Sequence, residues 1–387
     1  MPSPCDGVLR DKRKVTRTTV AQRRENWLKT ELHQETPTPV ERAPRVVLTL
    51  LIAGLGGLLF QILGVPAPWL SGPATLVAIL VVTGFRIDIP TFLRHAALMF
   101  LGVLMGSSVT PETFGQLARS PLTVAGLLIC IVVIIAAIQA YLRLVHRYDP
   151  VTAQLSAVPG ALPFALAMAE ESGADVRRVA IIQMIRLVAL LVFLPSVFAL
   201  FGYVGDVAES PVAKRPLIYW DVAVLVVAAV AGAVLLEWLR MPAGVMFGSM
   251  IAGALLFATG AVTTGLPEWM MLPGFAVIGA TVGANFQDTD RRLLLTTLAA
   301  GIGSVFVGAT ASMLTALPFS YLTGLPLAQL WLAYAPGGVD AMAVLALAIG
   351  LEPAFVATHH LARFFALAVC LPIWLRPRIK AERSKSG

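Results

Sequence analysis

Two arginines stand where an oily chain would not be expected to place them. Arg186 sits inside "VAIIQMIRLVALLVFLP" and Arg363 inside "PAFVATHHLARFFALAVCLPIW", each at the middle of an apolar run. A charged side chain at the centre of a bilayer costs about 2.5–3.5 kcal/mol on insertion scales, so two of them need a reason. One reason is chemical: a pair of guanidinium groups can meet an anionic solute or balance a carboxylate. The other is architectural: each arginine can hold free backbone carbonyls of a broken helix beside it.

The sequence supplies such breaks. "AVPGAL" (157–162) and "YAPGGVD" (334–340) interrupt apolar segments with Pro159 and Gly160, and with Pro336, Gly337 and Gly338. Proline removes a backbone donor and glycine loosens the helix. A half-helix starting at such a break points unpaired N–H groups and a positive dipole end into its surroundings, which suits an anion or a substrate carboxylate. These five residues are therefore taken with Arg186 and Arg363 as the substrate-binding set. Asp340 follows the second break by two residues, while its counterpart in the first is Pro163. It reads either as a coupling-ion or proton ligand on one side only, or as a helix N-cap. His359 lies four residues before Arg363, on the same helical face, and is a candidate proton relay. Gln183, His360 and Asn285 are candidate polar lining groups. The five histidines and three cysteines show no metal-ligand or disulfide spacing, so no metal, cofactor or catalytic residue is expected.

The elements that position these residues are spans of a membrane. The 387 residues are 57% hydrophobic and only 13% charged, with a mean hydropathy of +0.81, against about a quarter charged in soluble domains. The apolar residues gather in blocks long enough to cross a hydrocarbon core of about 30 Å. The first 45 residues differ: ten Lys/Arg against six Asp/Glu and little apolar content, read as a disordered cytoplasmic tail without the apolar core of a signal peptide.

The chain is also a duplication. Offset by 177, residues 159–195 lie on 336–372 with 12 identities in 37 positions, among them Pro159/Pro336, Gly160/Gly337, Gly173/Gly350, Arg186/Arg363 and Pro195/Pro372. The same offset pairs "GVLMG" (102–106) with "GATVG" (279–283), small-residue faces suited to close helix packing. An offset one smaller pairs "PAPWLSG" (66–72) with "PAGVMFG" (242–248). Six apolar segments recur: 46–63, 67–85, 92–109, 121–141, 151–170 and 178–202, then 218–239, 242–260, 269–286, 293–317, 326–349 and 354–375.

If the broken fifth segment of each half spans, there are twelve crossings and parallel repeats. If it turns back, there are ten crossings and inverted repeats. Of the 29 Lys/Arg, Arg186 and Arg363 lie deep within spans, and the other 27, counting Arg94 and Arg178 at span ends, fall on one side or the other. Ten crossings place 24 of them on the cytoplasmic side and 3 opposite; twelve place 21 and 6, so the positive-inside rule favours inversion. Irregular backbone at membrane depth is tolerated only where it is buried in protein or lines a wet cavity, and two such breaks facing each other form a midplane site of the secondary-transporter kind.

"LSAVPGALPFALAMAEESGADVRRVAIIQMIRLVALLVFLP" and its second copy "LAYAPGGVDAMAVLALAIGLEPAFVATHHLARFFALAVCLP" resemble the membrane AbrB-duplication family, over about residues 46–376. That family carries the labels "AbrB family protein", "ammonia monooxygenase" and "regulator of aidB expression". The resemblance implies a bacterial inner-membrane protein associated with regulation of gene expression. A copper monooxygenase needs clustered His or carboxylate ligands, which the chain does not display, and nothing here is similar to the strand-rich DNA-binding domain of the sporulation-type AbrB regulator.

The reading is therefore an all-α, multi-pass protein of the bacterial inner membrane, with both termini cytoplasmic. Its expected parts are a basic tail (1–45), repeat 1 (46–202), a linker (203–217), repeat 2 (218–376) and a basic C-terminal tail (377–387). Each repeat has five spanning helices and one re-entrant segment, in inverted orientation. The expected function is secondary transport or export of a small anionic metabolite, not catalysis. The alternative is a membrane sensor linked to gene expression. The partners are the lipid bilayer, a small solute and a coupling Na+ or H+, with no nucleic acid; homo-oligomerisation stays open.

Overall fold

The computed structural model describes residues 39–107, 120–160, 162–203, 216–264 and 271–385. The chain divides into two compact units, Met1–Arg45 and Val46–Gly387, and the helical bundle belongs to the second. Most of the N-terminal tail and of the 203–217 linker lies outside the described residues.

The regular structure among the described residues is entirely helical. The first half holds α1 (Pro39–Ile62), α2 (Pro68–Val82), α3 (Thr91–Ser107), α4 (Ser120–Leu144), α5 (Pro150–Ala157), α6 (Leu162–Ser172) and α7 (Val176–Leu200). The second holds α8 (Tyr219–Trp238), α9 (Gly244–Ala258), α10 (Met271–Ala284), α11 (Arg291–Thr323), α12 (Leu327–Tyr334), α13 (Val339–Ala348) and α14 (Pro353–Lys385). α14 carries helical backbone through the basic C-terminal stretch as far as Lys385.

Six segments are long and apolar enough to cross a membrane: Ala43–Ile62, Pro121–Leu144, Val176–Leu200, Tyr219–Trp238, Arg291–Thr323 and Pro353–Cys370. They fall at equivalent places, three in each half, and make this a multi-pass membrane protein. Large apolar side chains such as Leu51 and Leu55 on α1 and Val227 and Trp238 on α8 face outward, as a lipid-contacting surface requires. α2, α3, α9 and α10 have only 14–17 residues. At about 1.5 Å per residue they reach roughly 21–26 Å, and about half or more of the residues of each are buried.

Small residues bring these short helices together. Gly56 of α1 packs on the Gly72 backbone of α2, and the duplicate pair, Gly232 of α8 on Gly248 of α9, does the same. Across the halves, Gly102 faces Met246 and Ser249, while Gly106, one turn on, faces Met250 and Ala254. α3 and α9 therefore run in the same direction. Gly279 faces Leu70 and Pro73, and Gly283 faces Ala74 and Ala78, so α2 and α10 also run in the same direction. The small-residue faces expected at 102–106 and 279–283 are thus the seams between the halves.

The backbone repeats as the sequence does. Left-handed residues recur at an offset of 176 (Gly64/Arg240, Ala67/Ala243, Gly84/Gly260) and of 177 (Arg147/Gly324, Gly173/Gly350). Hydrogen bonds follow the same offset. The Asp175 amide donates to Thr152 Oγ1 at 2.9 Å, and the Glu352 amide donates to Gln329 Oε1 at 3.0 Å. Each bond ties the entry of α7 or α14 to the entry of α5 or α12. Both broken segments therefore turn back: α5 goes in, α6 returns to the end where α5 began, and α7 starts beside that point. α12, α13 and α14 repeat the pattern.

The two broken segments pack against opposite ends of α7. The first begins near Tyr148, whose ring lies under the Arg178 guanidinium at 5.2 Å. In the second, Trp331 packs edge-on against Phe198 near the far end of α7, and His359 meets Thr123 at the start of α4. Contacts also join the other elements at the first hairpin's end. Ile87 donates to Gln287 Oε1 at 3.3 Å, His95 lies 3.9 Å from Glu237, and Arg177, Asp288 and Asp290 line one cavity of about 550 Å³. Arg86, Arg94, Arg143, Arg147, Arg177, Arg178, Arg240, Arg291 and Arg292 all sit at or near this end, and among the described residues of the bundle no Lys or Arg occupies the other.

Candidate functional site

The site forms where the two hairpin tips meet. α5 ends at Ala157, and its last carbonyls are left without helical partners. Arg186 of α7 takes them: Nη1 donates to Ser156 O at 3.2 Å and Ala157 O at 3.5 Å, and Nη2 donates to Val158 O at 2.7 Å. Gln183, one turn earlier, donates to Leu155 O at 3.0 Å. The second half repeats two of these bonds at the 177-residue offset, at Leu155/Leu332 and Val158/Ala335, and adds one to Gly337. Arg363 Nη1 donates to Ala335 O at 2.6 Å and Nη2 to Gly337 O at 2.5 Å, while His360, the counterpart of Gln183, donates from Nε2 to Leu332 O at 3.1 Å.

Both arginines are about 1% exposed. Each places a positive charge on the negative end of a short helix and satisfies the carbonyls there. Of the two roles open to them from sequence, the carbonyl-holding one is the arrangement present. The guanidinium groups build the tips.

The tips touch through main chain. Gly160, left-handed at φ 71°, has no room for a side chain: a β-carbon there would stand 2.5 Å from Arg363 Nη2 and 2.6 Å from Gly337 O. Pro336 packs near Gly308, and Gly338 faces Leu187, which a β-carbon there would approach to 3.3 Å. Pro159 is buried. The five break residues named from the sequence thus lie at the tips, and Arg186 and Arg363 lie beside them.

The remaining candidates are placed as follows. Asp340 does not cap α13: Gly338 is the N-cap, with no side-chain bond, and the Asp340 carboxylate instead reaches Arg94 Nη2 on α3 at 3.5 Å. His359 does not share the Arg363 contact. Its Nδ1 meets Phe355 O at 2.9 Å and its Nε2 meets Thr123 Oγ1 at 2.8 Å, so it faces α4. The neighbour three residues from Arg363 takes that place, since His360 Nδ1 accepts from Arg363 Nη2 at 2.8 Å. An acceptor at Nδ1 and a donor at Nε2 fix His360 as one neutral tautomer. Asn285 is an exposed turn residue just past the end of α10 and is not among the buried groups at the tips.

Ser156 Oγ, Arg186 Nε and Asp340 Oδ1 are buried without a hydrogen-bond partner. Unsatisfied polar atoms of this kind are uncommon in protein interiors, and three on the broken segments and their supporting helix mark the region as one that could accept a polar guest. No group of three or more His, Cys, Asp or Glu among the described residues is placed to hold a metal ion.

The family described as "Transition state regulatory protein AbrB" matches residues 69–377. The chain belongs to the AbrB family. A relative from Escherichia coli (strain K12), "Putative regulator AbrB", is 27% identical over 342 residues, covering 84% of this chain and 93% of the relative. A second, "Uncharacterized protein YhjN" from Bacillus subtilis (strain 168), is 24% identical over 361 residues, covering 84% and 91%. The AbrB match takes in both hairpins, both buried arginines and Asp340. It also includes Arg94, which sequence reasoning about this AbrB chain passed over because an arginine four residues into a helix looks like an ordinary positive-inside residue.

Proposed function

We propose that this AbrB-family protein is a secondary transporter or exporter of a small anionic metabolite, with its site between the two hairpin tips. In this reading each half crosses the bacterial inner membrane five times, the halves are inverted, and the arginine-rich end with both termini is cytoplasmic. The supporting observation is the meeting of Gly160 with Gly337 and Arg363, because broken helices entering from opposite ends and meeting in the interior are the plan of a midplane solute site. Two buried guanidinium groups and the uncapped start of α13 give the region an excess of positive charge, which favours an anion. Asp340 is the coupling group, exchanging its arginine for Na+ or H+.

Purified protein in proteoliposomes tests the reading. Under an imposed proton or sodium gradient, at least one of a panel of small carboxylates and inorganic phosphate should accumulate, and Asp340→Asn should remove that uptake. Absence of uptake for the whole panel, together with absence of thermal stabilisation by any member, would sink it.

A second reading, a membrane sensor acting on gene expression through a partner, draws on the name of the Escherichia coli relative. Removal of residues 1–40 separates the two: a sensor loses its output, while a transporter keeps moving solute.

A further inference from the structure

Arg186 and Arg363 give their terminal nitrogens to carbonyls and are sealed from solvent, which leaves the question of what meets the anionic group of a solute. We propose that Arg94 does, and that Asp340 is its resident stand-in, displaced when a carboxylate-bearing solute arrives. The inference rests on the transport reading and names the solute contact within it.

Arg94 and Asp340 are the ion pair that reaches a hairpin tip from α3. The pair is loose, at 3.5 Å, with side chains 45% and 28% exposed. Partly exposed pairs of this kind contribute little net stability, so exchange of one carboxylate for another is cheap. Only one carboxylate oxygen is engaged; the other, Oδ1, is buried with no partner. A free carboxylate offers the guanidinium fork both oxygens, the bidentate geometry that Asp340 does not reach here.

The surroundings favour the same guest. Asp340 lies in the first turn of α13, whose ten-residue helix starts at Gly338 without a side-chain cap. An anion at Arg94 would therefore also approach a positive helix end. Position 94 corresponds to Met271 in the other half and position 340 to Pro163. The pair exists at one tip alone, so the solute is recognised on one side of the pseudo-symmetric site.

Charged thiol reagents test this without knowledge of the solute. In a background with Cys5, Cys130 and Cys370 replaced by alanine, Asp340→Cys is exposed from the arginine-rich end to anionic sulfonatoethyl methanethiosulfonate and to its cationic trimethylammonium analogue. Rates are normalised to those on a free thiol. A field set by Arg94 should favour the anionic reagent about tenfold. Arg94→Gln should bring the ratio to about one, and Arg94→Lys should keep most of it. Gly338→Cys serves as a second reporter, and each variant is used only if it runs as a single species on size exclusion. Labelling without a sign preference, or with one indifferent to Arg94, overturns the role of Arg94 and leaves the transport reading standing. No labelling of either reporter from either end removes the aqueous path, and the transport reading falls with it.

Discussion

The carbonyl oxygen of Gly337 lies 2.6 Å from where a β-carbon on Gly160 would stand. Two residues 177 positions apart, equivalent in the duplication, thus meet at the tips, with the Arg363 guanidinium beside them. Gly160→Ala should cost at least about 3 kcal/mol, combining left-handed strain with a clash. Gly173→Ala, at φ 75° with nothing within 4 Å, should lose only about 1 kcal/mol. Thermal unfolding of the two purified variants in detergent checks the difference; equal losses would mean that the tips do not touch.

Arg363→Lys should destabilise by about 2–4 kcal/mol, because an ammonium cannot serve Ala335 O, Gly337 O and His360 Nδ1 from one planar fork. His360→Gln should cost less than about 1 kcal/mol, since Gln183 makes the equivalent bond to Leu155 O in the first half. Unfolding midpoints of both variants, measured side by side, decide the matter. A larger loss for His360→Gln would reverse the assignment of the supporting group.

Arg94→Gln and Asp340→Asn should each change stability by no more than about 1 kcal/mol, as expected of a partly exposed ion pair. Uptake into proteoliposomes should nevertheless fall at least about tenfold for either variant. Full flux in both, with normal folding, would take the pair out of the transport cycle.

Membrane-impermeant maleimide applied to intact cells should label Thr259→Cys and spare Asn285→Cys until the inner membrane is opened. Both positions are exposed, at opposite ends of the bundle. The reverse pattern would turn the arginine-rich end outward and invert the proposed orientation.

Much of this architecture was legible in the residues. Proline, glycine and arginine coincidences carried the duplication because such residues are scarce in apolar sequence, and the same matches placed both breaks and both arginines. The seams at Gly102, Gly106, Gly279 and Gly283 were readable because small-residue spacing has one dominant use between helices. What stayed hidden was side-chain direction. Which of two adjacent histidines meets Arg363 depends on the helix phase against α12 and α4, which no one-dimensional pattern supplies. Asp340 after a break has the chemistry of a cap, and only the position of α3 shows that Arg94 draws it away. The end of α10 at Ala284, which puts Asn285 in an exposed turn, is equally hidden inside an apolar run.

The interlocked tips also say something about what half a chain could be. Residues 46–202 alone would keep the carbonyls at the end of α5 on Arg186 and Gln183 but leave Gly160 without the surface it packs on. A second copy of the same fragment would carry a matching tip to fill that place. Fusion of the two into one polypeptide fixes their stoichiometry and frees each to drift, and a carboxylate in one with a proline at the matching place in the other is what that freedom has left behind.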